Sequence, residues 1–288
     1  MCDDEMLREM ERTPKLSRRD FTAITASAAA MAGTAAYGDA AVTESDVTVT
    51  TPDGAADAVL LHPQGKKSWP AVLIWTDIMG LRPVFREIGR RLASQGYVVL
   101  VPNPFYRTAK AADITAMGLS FAQPEGREKL IGMRRAMSDQ GVDSDARAYL
   151  AFLDAQPQTD KSQPAGVQGY CMGGALSFRA AAAVAGRIGA VGSFHGGGLV
   201  TKEPSSPHLL IATTKASYLV AVAQNDDRND PEAKGVLRAT FDEAKRRATV
   251  EVYPADHGWC VPGHAAYDAA SAEKAWAELT KLYKVALG

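Results

Sequence analysis

A single cysteine lies between glycines where a predicted strand gives way to a predicted helix. The run Gly-Tyr-Cys-Met-Gly occupies positions 169–173, and an alanine-rich, apolar stretch typical of a helix follows at 175–184. A nucleophile on such a sharp strand-to-helix turn needs glycine neighbours, because its strained backbone brings strand and helix close together. The N-terminus of the helix directs amide N–H groups at the sulfur and favours a thiolate. The pattern predicts a nucleophilic Cys171; the alternative is a buried structural cysteine.

Two later segments carry an acid and a histidine directly after predicted strands. Asp226 and Asp227 follow the strand that ends at Ala223, and His257 follows the strand that ends at Tyr253. Functional groups in sheets of this kind gather at the carboxyl ends of strands, and the order nucleophile, acid, histidine is that of the α/β-hydrolases. The histidine would take the thiol proton and return it to the leaving group, while a carboxylate orients its ring. Asp226 is the nearer candidate for that carboxylate, and Asp227 is the alternative.

Other residues are predicted to complete the site. The backbone amides of Met172 and Ile78 are expected to form an oxyanion hole. His195 begins an H-G-G-G run that looks like the oxyanion segment of lipases, but it follows the nucleophile instead of preceding it, so we interpret it as a flexible loop near the pocket. His195 and Trp259 are therefore grouped as substrate-binding or nucleophile-activating candidates.

Neither a metal site nor a cofactor is predicted. His257, Cys260 and His264 are near one another in sequence, but Cys260 and His264 do not match a paired-ligand pattern for zinc.

Apolar runs and turn residues divide the remaining chain into alternating strands and helices. Strands are predicted at 47–50, 58–61, 71–75, 97–101, 188–194, 218–223 and 250–253, and helices at 84–94, 143–156, 231–247 and 271–285. Strands that alternate with helices indicate an α/β fold with a mostly parallel central sheet and helices on both faces. Residues 108–138 are less regular, and are interpreted as an excursion that covers a pocket, as a linker or as ordinary surface.

Composition narrows the class of protein. The chain has 288 residues, of which 46% are hydrophobic and 23% charged, and this suits one large domain at 41–288. A formal net charge of -1 gives no electrostatic footprint for nucleic acid. No run is long and apolar enough to predict a stable membrane span. The expected partner is a small-molecule substrate, and the protein is expected to be a monomer or a small homo-oligomer.

The first forty residues have the pattern of an export signal. Arg18, Arg19 and Phe21 fit the S-R-R-x-F motif of the twin-arginine route, and a mildly apolar stretch follows them. Residues 1–40 are therefore predicted to be a signal and leader that engages the twin-arginine machinery and directs the protein to the periplasm. The alternative is a disordered tail with a chance arginine pair, which would leave the protein in the cytoplasm. After cleavage Cys171 and Cys260 would remain, and both are predicted to be reduced because a disulfide would silence the nucleophile.

Three segments together resemble the dienelactone hydrolase family of α/β-hydrolases. They are G-Y-C-M-G-G at 169–174, A-Q-N-D at 223–226 and Y-P-A-D-H-G at 253–258, and the resemblance extends from about residue 47 to the C-terminus. It implies a triad of Cys171, His257 and Asp226. It also implies hydrolysis of a small ester or lactone, of the carboxymethylenebutenolide type, through an acyl-thioester intermediate and without a cofactor.

The resemblance also implies roles for two further residues. Asp77 stands where family members often carry a glutamate that activates the nucleophile, and Arg107 stands where they carry an arginine for a substrate carboxylate. A second such arginine, expected after the histidine, is replaced by residues 260–262, which weakens the case for a carboxylated lactone. Two rival functions remain: a non-catalytic ligand-binding protein with the same fold, and a thiol redox protein that uses Cys171 and Cys260.

Overall fold

The computed structural model describes residues 40–65 and 67–288. The predicted twin-arginine motif lies outside the described residues, as does the rest of the leader up to residue 39. Within the described part, no helix combines the length and the apolar character that crossing a membrane requires.

An eight-stranded sheet forms the centre of the described chain, with strand order β1-β2-β4-β3-β5-β6-β7-β8. β1 and β2 pair antiparallel, β2 pairs antiparallel with β4, and the pairs from β4 to β8 are parallel. The strands are β1 (Val42–Thr51), β2 (Gly54–Pro63), β3 (Ala71–Trp75), β4 (Val98–Pro102), β5 (Ala165–Tyr170), β6 (Ile188–Phe194), β7 (Ser217–Ala223) and β8 (Ala248–Tyr253). The predicted, mostly parallel α/β-hydrolase sheet is thereby confirmed.

Helices connect the strands and cover the sheet. They are α1 (Pro83–Ala93), α2 (Ala111–Ala116), α3 (Pro124–Arg135), α4 (Asp139–Asp154), α5 (Met172–Ala183), α6 (Gln224–Asn229), α7 (Ala233–Glu243) and α8 (Ala269–Ala286), with a 3-10 helix at Pro207–Thr213. Parallel neighbours need such crossovers, because a tight turn can join only antiparallel strands.

Each face of the sheet has its own apolar core. On one face α1 and α8 contribute side chains such as Phe85, Leu279 and Tyr283. On the other face α4, α5 and α7 contribute side chains such as Tyr149 and Phe178. The middle strands β3, β4 and β5 are buried along their whole length, which explains the continuous apolar sequences of β3 and β4.

Three regions differ from the expectation. β1 begins at Val42, earlier than the predicted 47–50, because an edge strand can carry polar residues on its exposed face. Residues 108–138, predicted to be irregular, contain α2 and α3, and Pro124 begins α3 where a missing amide hydrogen costs nothing. The segment 224–227, expected to be a loop, forms the first turn of α6.

Candidate active site

Cys171 occupies the turn between β5 and α5 with a strained backbone. Its φ of 54° and ψ of −118° are rare for a residue with a side chain, and its amide donates a 3.0 Å hydrogen bond to the Phe194 carbonyl of β6. Because Cys171 is the N-cap of α5, the sulfur stands where the free amides and positive dipole end of the helix stabilise negative charge.

The glycines around Cys171 are required by close packing. A Cβ atom on Gly169 would lie 1.9 Å from the Gly173 carbonyl oxygen, and a Cβ atom on Gly173 would lie 2.5 Å from the Trp75 carbonyl oxygen. Such distances are far below van der Waals contact, so any larger residue would force backbone to move. The G-x-C-x-G pattern is thus explained by the close approach of three backbone segments: the end of β5, the start of α5 and the end of β3.

Asp226 and His257 meet at the carboxyl ends of β7 and β8. Asp226 Oδ2 lies 2.7 Å from His257 Nδ1, and Asn225 Oδ1 accepts a 2.7 Å hydrogen bond from the His257 amide. Asp227, the alternative acid, instead forms a 2.6 Å ion pair with Lys234. The structure therefore brings Asp226, and not Asp227, to the histidine. The sequence did not predict this role for Asn225, although Asn225 belongs to the same segment after β7.

The charges around His257 decide its protonation. Burial opposes the charged form, but the negative charges of Cys171 and Asp226 and hydrogen bonds to both raise the pKa of His257 well above its ordinary value. Cys171 is thus among the groups that act on His257, yet within the described residues His257 Nε2 has no hydrogen bond of ordinary geometry. Loose alignment is common for catalytic hydrogen bonds in the absence of substrate.

Asp77 braces the loop that follows β3. Its Oδ1 accepts a 2.9 Å hydrogen bond from the Met79 amide, and its carboxylate is held by both terminal nitrogens of Arg82 at 2.6 and 2.7 Å. Arg82 also donates to the Gly80 carbonyl at 3.2 Å, so one guanidinium ties both ends of the turn. The Trp75 and Thr76 carbonyls at the start of this turn lie against Gly173 of the elbow. The turn also contains Ile78, whose amide stays a predicted oxyanion donor. Arg82 was missed because its partner could not be known from the sequence.

Comparisons with known proteins now decide the family. The family model described as "Dienelactone hydrolase family" matches residues 56–287. The chain belongs to the dienelactone hydrolase family. It is 26% identical over 223 residues to a carboxymethylenebutenolidase from Rhodococcus opacus, covering 75% of this chain and 81% of that one. It is 25% identical over 236 residues to carboxymethylenebutenolidase 1 from Cupriavidus pinatubonensis, covering 82% and 94%.

A solved structure agrees with the fold of this dienelactone hydrolase family member. The dienelactone hydrolase-like promiscuous phosphotriesterase P91, from metagenomic libraries, superposes with a TM-score of 0.68. The two sequences are 23% identical, and the match covers 86% of this chain and 100% of that one. At this identity the likeness carries the fold and no more.

Arg107 has different partners from the substrate carboxylate that the family resemblance implies. Its guanidinium contacts Asp145 at 2.7 and 2.9 Å and Asp53 at 2.6 and 2.9 Å, and it also donates to the Gly141 carbonyl at 3.3 Å. The Asp145 side chain is fully buried. These carboxylates use most of the N–H groups of Arg107, so the guanidinium has little capacity left for a ligand. Asp77 likewise has a protein partner, since Arg82 binds its carboxylate, and its activating role stays a prediction.

His195 and Trp259 lie next to His257, but neither is exposed. The His195 ring centroid is 4.7 Å from that of His257 and 6.2 Å from that of Trp259. Trp259 is completely buried and stacks on Tyr253 with ring centroids 4.6 Å apart, and its contact with substrate stays a prediction. The loop after His195 was expected to be flexible; instead, a Cβ on Gly174 would lie 2.6 Å from the Gly196 Cα, which packs the loop against α5.

The remaining thiol and histidine near the site do not form a metal centre. Cys171 and Cys260 are both free, and burial raises the pKa of the Cys260 thiol well above its ordinary value. Cys260 is therefore protonated and a poor nucleophile, which disfavours a redox pair. The His264 ring packs on the Gly258 backbone, where a Cβ would lie 2.3 Å from Nδ1. The described residues contain no group of three or more potential ligands that could hold a metal ion.

Proposed function

We propose that this member of the dienelactone hydrolase family hydrolyses a small carboxylic ester or lactone with Cys171 as the nucleophile. The observation that carries the proposal is the pairing of Asp226 with His257, 2.7 Å apart, beside a cysteine held in a strained turn at the start of a helix. The names of the two carboxymethylenebutenolidase relatives support the same class of substrate.

The first half-reaction forms an acyl-enzyme. The Cys171 sulfur attacks the carbonyl carbon, the C–O bond to the leaving group breaks, and His257 gives that oxygen its proton. The Met172 amide, as the first of α5, has no acceptor within the helix, so it is free to bind the oxyanion. The Ile78 amide supplies the second donor from the turn that Asp77 and Arg82 brace.

Acylation changes His257 from an acid into a base. In the free enzyme the negative charge of Cys171 is among the causes that raise the pKa of His257. In the acyl-enzyme that sulfur is a neutral thioester, so this cause disappears and His257 loses its proton more readily. His257 can then take a proton from water, which attacks the thioester and releases the acid. One histidine thereby serves both half-reactions.

The surroundings of the site favour a substrate without a strong anionic group. Arg107 is engaged by Asp53 and Asp145, and the second family arginine is absent from positions 260–262. Arg82, which follows the predicted oxyanion loop in the chain, is paired with Asp77. We therefore expect neutral short-chain esters and lactones to be better substrates than carboxylated ones.

A chromogenic ester tests the proposal. The wild-type protein should release p-nitrophenol from p-nitrophenyl acetate and form one acyl group per chain, detectable by intact mass. Cys171→Ala should lose turnover and acylation, while Cys260→Ala serves as the matched cysteine control and should keep both. Turnover that survives in Cys171→Ala, or acyl transfer to Cys260, would sink the proposal.

A further inference from the structure

His195 is a buried histidine whose ring nitrogens make no hydrogen bond to the surrounding protein groups that the structure describes. It is only 1% exposed, and in the described part of the chain neither Nδ1 nor Nε2 has a hydrogen-bond partner. Buried polar atoms in native proteins are nearly always satisfied by protein or by ordered water. Two buried ring nitrogens without a protein partner can hydrogen-bond to a small polar molecule such as water.

The backbone of His195 is held in a position that it does not adopt easily. Its φ is 39°, one of three positive φ values at non-glycine residues in the described chain, and Cys171 has another. The His195 amide donates a 2.8 Å hydrogen bond to the Ala221 carbonyl of β7. The next residue, Gly196, packs against Gly174 of the elbow. Strain of this kind persists only where the surroundings enforce it, and it gathers at functional sites.

The ring of His195 faces the ring that performs the proton transfers. The His195 and His257 centroids are 4.7 Å apart, with planes tilted by 60°. His257 Nε2 also lacks a well-aligned partner within the described residues. A hydrogen bond spans about 3 Å, so a single water oxygen can reach nitrogens in both rings. A buried water needs two or more polar partners, and these two rings provide them.

We propose that His195 is a further catalytic residue, which accepts a hydrogen bond from the water that attacks the acyl-enzyme beside His257. The inference deepens the proposed function and rests on it. His195 would act in deacylation only, because acylation consumes no water.

The step balances without any additional reactant. The water oxygen forms a bond to the thioester carbonyl carbon, and one water proton goes to His257 Nε2. The second O–H bond of the water stays intact and donates to the unprotonated nitrogen of His195, which leaves an oxygen lone pair aimed at the carbon. The C–S bond then breaks and the carboxylic acid leaves, while the proton stays on His257 beside the negatively charged Cys171 sulfur, as at the start of acylation.

The role requires His195 to stay neutral while His257 gains a proton. Burial lowers the pKa of His195 well below its ordinary value, and the charges of His257 and His264 lower it further. A positive charge that arrives on His257 therefore cannot move to its neighbour. The acceptor nitrogen of His195 stays available throughout the step.

Rapid kinetics on p-nitrophenyl acetate separate the two half-reactions. In His195→Phe, which keeps a planar ring and removes both nitrogens, we expect deacylation to slow by about 10- to 100-fold, near the low end for lost acid–base assistance. Acylation should change by less than about threefold. The values of kcat and KM should consequently fall together, and acyl-enzyme should accumulate in the mass spectrum. His62→Phe on β2, remote from β5 in the sheet order, is the matched control and should match wild type.

Two results would overturn the proposal: a His195→Phe variant that deacylates at the wild-type rate, or one in which acylation slows as much as deacylation. The second result would place the leaving group, and not the water, at His195. If the phenylalanine variant does not fold, His195→Leu, which also lacks an acceptor, decides, with attack on the acyl-enzyme by water compared with attack by hydroxylamine. Water attack should slow several-fold and hydroxylamine attack should not, and equal slowing counts against the role. An absence of any acyl-enzyme in wild type would instead remove the proposed function and this inference with it.

Discussion

Two polar clusters lie near the carboxyl ends of the strands, and they differ in how many of their hydrogen-bonding atoms have a protein partner. Around Arg107, the carboxylates of Asp53 and Asp145 and the Tyr106 hydroxyl satisfy one another in a closed network. Around His257, the Nε2 atom of His257 and both ring nitrogens of His195 have no hydrogen-bond partner among the described groups. Both clusters contain residue types that do chemistry, yet only the second has atoms available for a substrate.

The difference is the one expected between a structural cluster and a functional one. Burying a charge is costly unless it is paired, and the Arg107 network meets that cost by satisfying its buried Asp145. The histidine cluster accepts unmet hydrogen bonds and two strained backbones, at Cys171 and His195. Such a departure from ideal structure is expected where the reaction itself supplies the missing partners.

The largest effect is expected from removing the charge of Asp226. Asp226→Asn should lower kcat by about 10²- to 10⁴-fold, because the amide cannot steady the imidazolium or fix its tautomer. Asp226 is also one of the causes that raise the pKa of His257, so that pKa falls in the variant. Deacylation needs neutral His257 and rises with pH as the ring loses its proton. The rise should therefore occur at lower pH in the variant.

The pH dependence of the deacylation rate in wild type and Asp226→Asn measures this shift directly. A rise that moves to higher pH, or a loss of kcat below about threefold, would mean that Asp226 does not govern the ring.

A substitution in the Arg107 network should lower the stability of the protein and leave its activity nearly unchanged. Arg107→Ala leaves the buried Asp145 carboxylate without its main partner, at an expected cost of about 3–5 kcal/mol in the free energy of unfolding. Burial already raises the pKa of Asp145, and Arg107 opposes that rise. Urea denaturation measures the loss, and Lys129→Ala, which breaks an exposed pair with Glu125, should cost only about 0.5 kcal/mol.

Kinetics on paired neutral and carboxylated esters complete that test. Equal values of kcat/KM relative to wild type on both esters are expected once the variant is folded. A selective loss on the carboxylated ester, with little loss of stability, would restore the substrate-binding role that the family resemblance implies for Arg107.

Local sequence patterns predicted most of the fold and the centre of the site. The continuous apolar runs of β3 and β6 gave the observed bounds, since strands buried on both faces have no polar alternation to blur their ends. The cysteine elbow could also be predicted from a short stretch of sequence. Its glycines are required because they pack against the backbone of residues a few positions away and against the end of β3.

Pairings between distant segments could not be predicted. Arg107 forms an ion pair with Asp145, which is 38 residues away on α4. No sequence pattern near either residue indicates this contact. The burial of Trp259 depends on Tyr253 and His195 together. α2 and α3 were missed because α2 has only six residues and α3 has a weak apolar face, so their helical signals are faint.

The brace at Asp77 is expected to have an intermediate effect. Asp77→Ala removes the acceptor of the Met79 amide and the partner of Arg82, so the Ile78 amide loses its fixed position. Misplacing one oxyanion donor should lower kcat/KM for p-nitrophenyl acetate by about 10²-fold. Asp77→Asn keeps the acceptor oxygen and should lose about tenfold or less.

Alkylation of Cys171 by iodoacetamide distinguishes the brace from an activating acid. The reagent needs a reactive sulfur but no oxyanion hole, so its rate in Asp77→Ala should stay within about threefold of wild type. A fall in alkylation that matches the fall in ester hydrolysis would show that Asp77 activates the nucleophile, as the family resemblance implies.

The smallest effect is expected at Asp227, which is adjacent to Asp226 in sequence and has the same chemistry. Its carboxylate pairs with Lys234 at 2.6 Å on a partly exposed surface, and such a pair contributes about 1 kcal/mol or less to stability. Asp227→Asn should therefore keep kcat within about twofold of wild type and should not move the pH dependence of deacylation, because His257 keeps its partner. A loss comparable to that of Asp226→Asn would mean that the two carboxylates exchange places when substrate binds. In that case, the contact with His257 in the free protein would not identify the carboxylate that acts during catalysis.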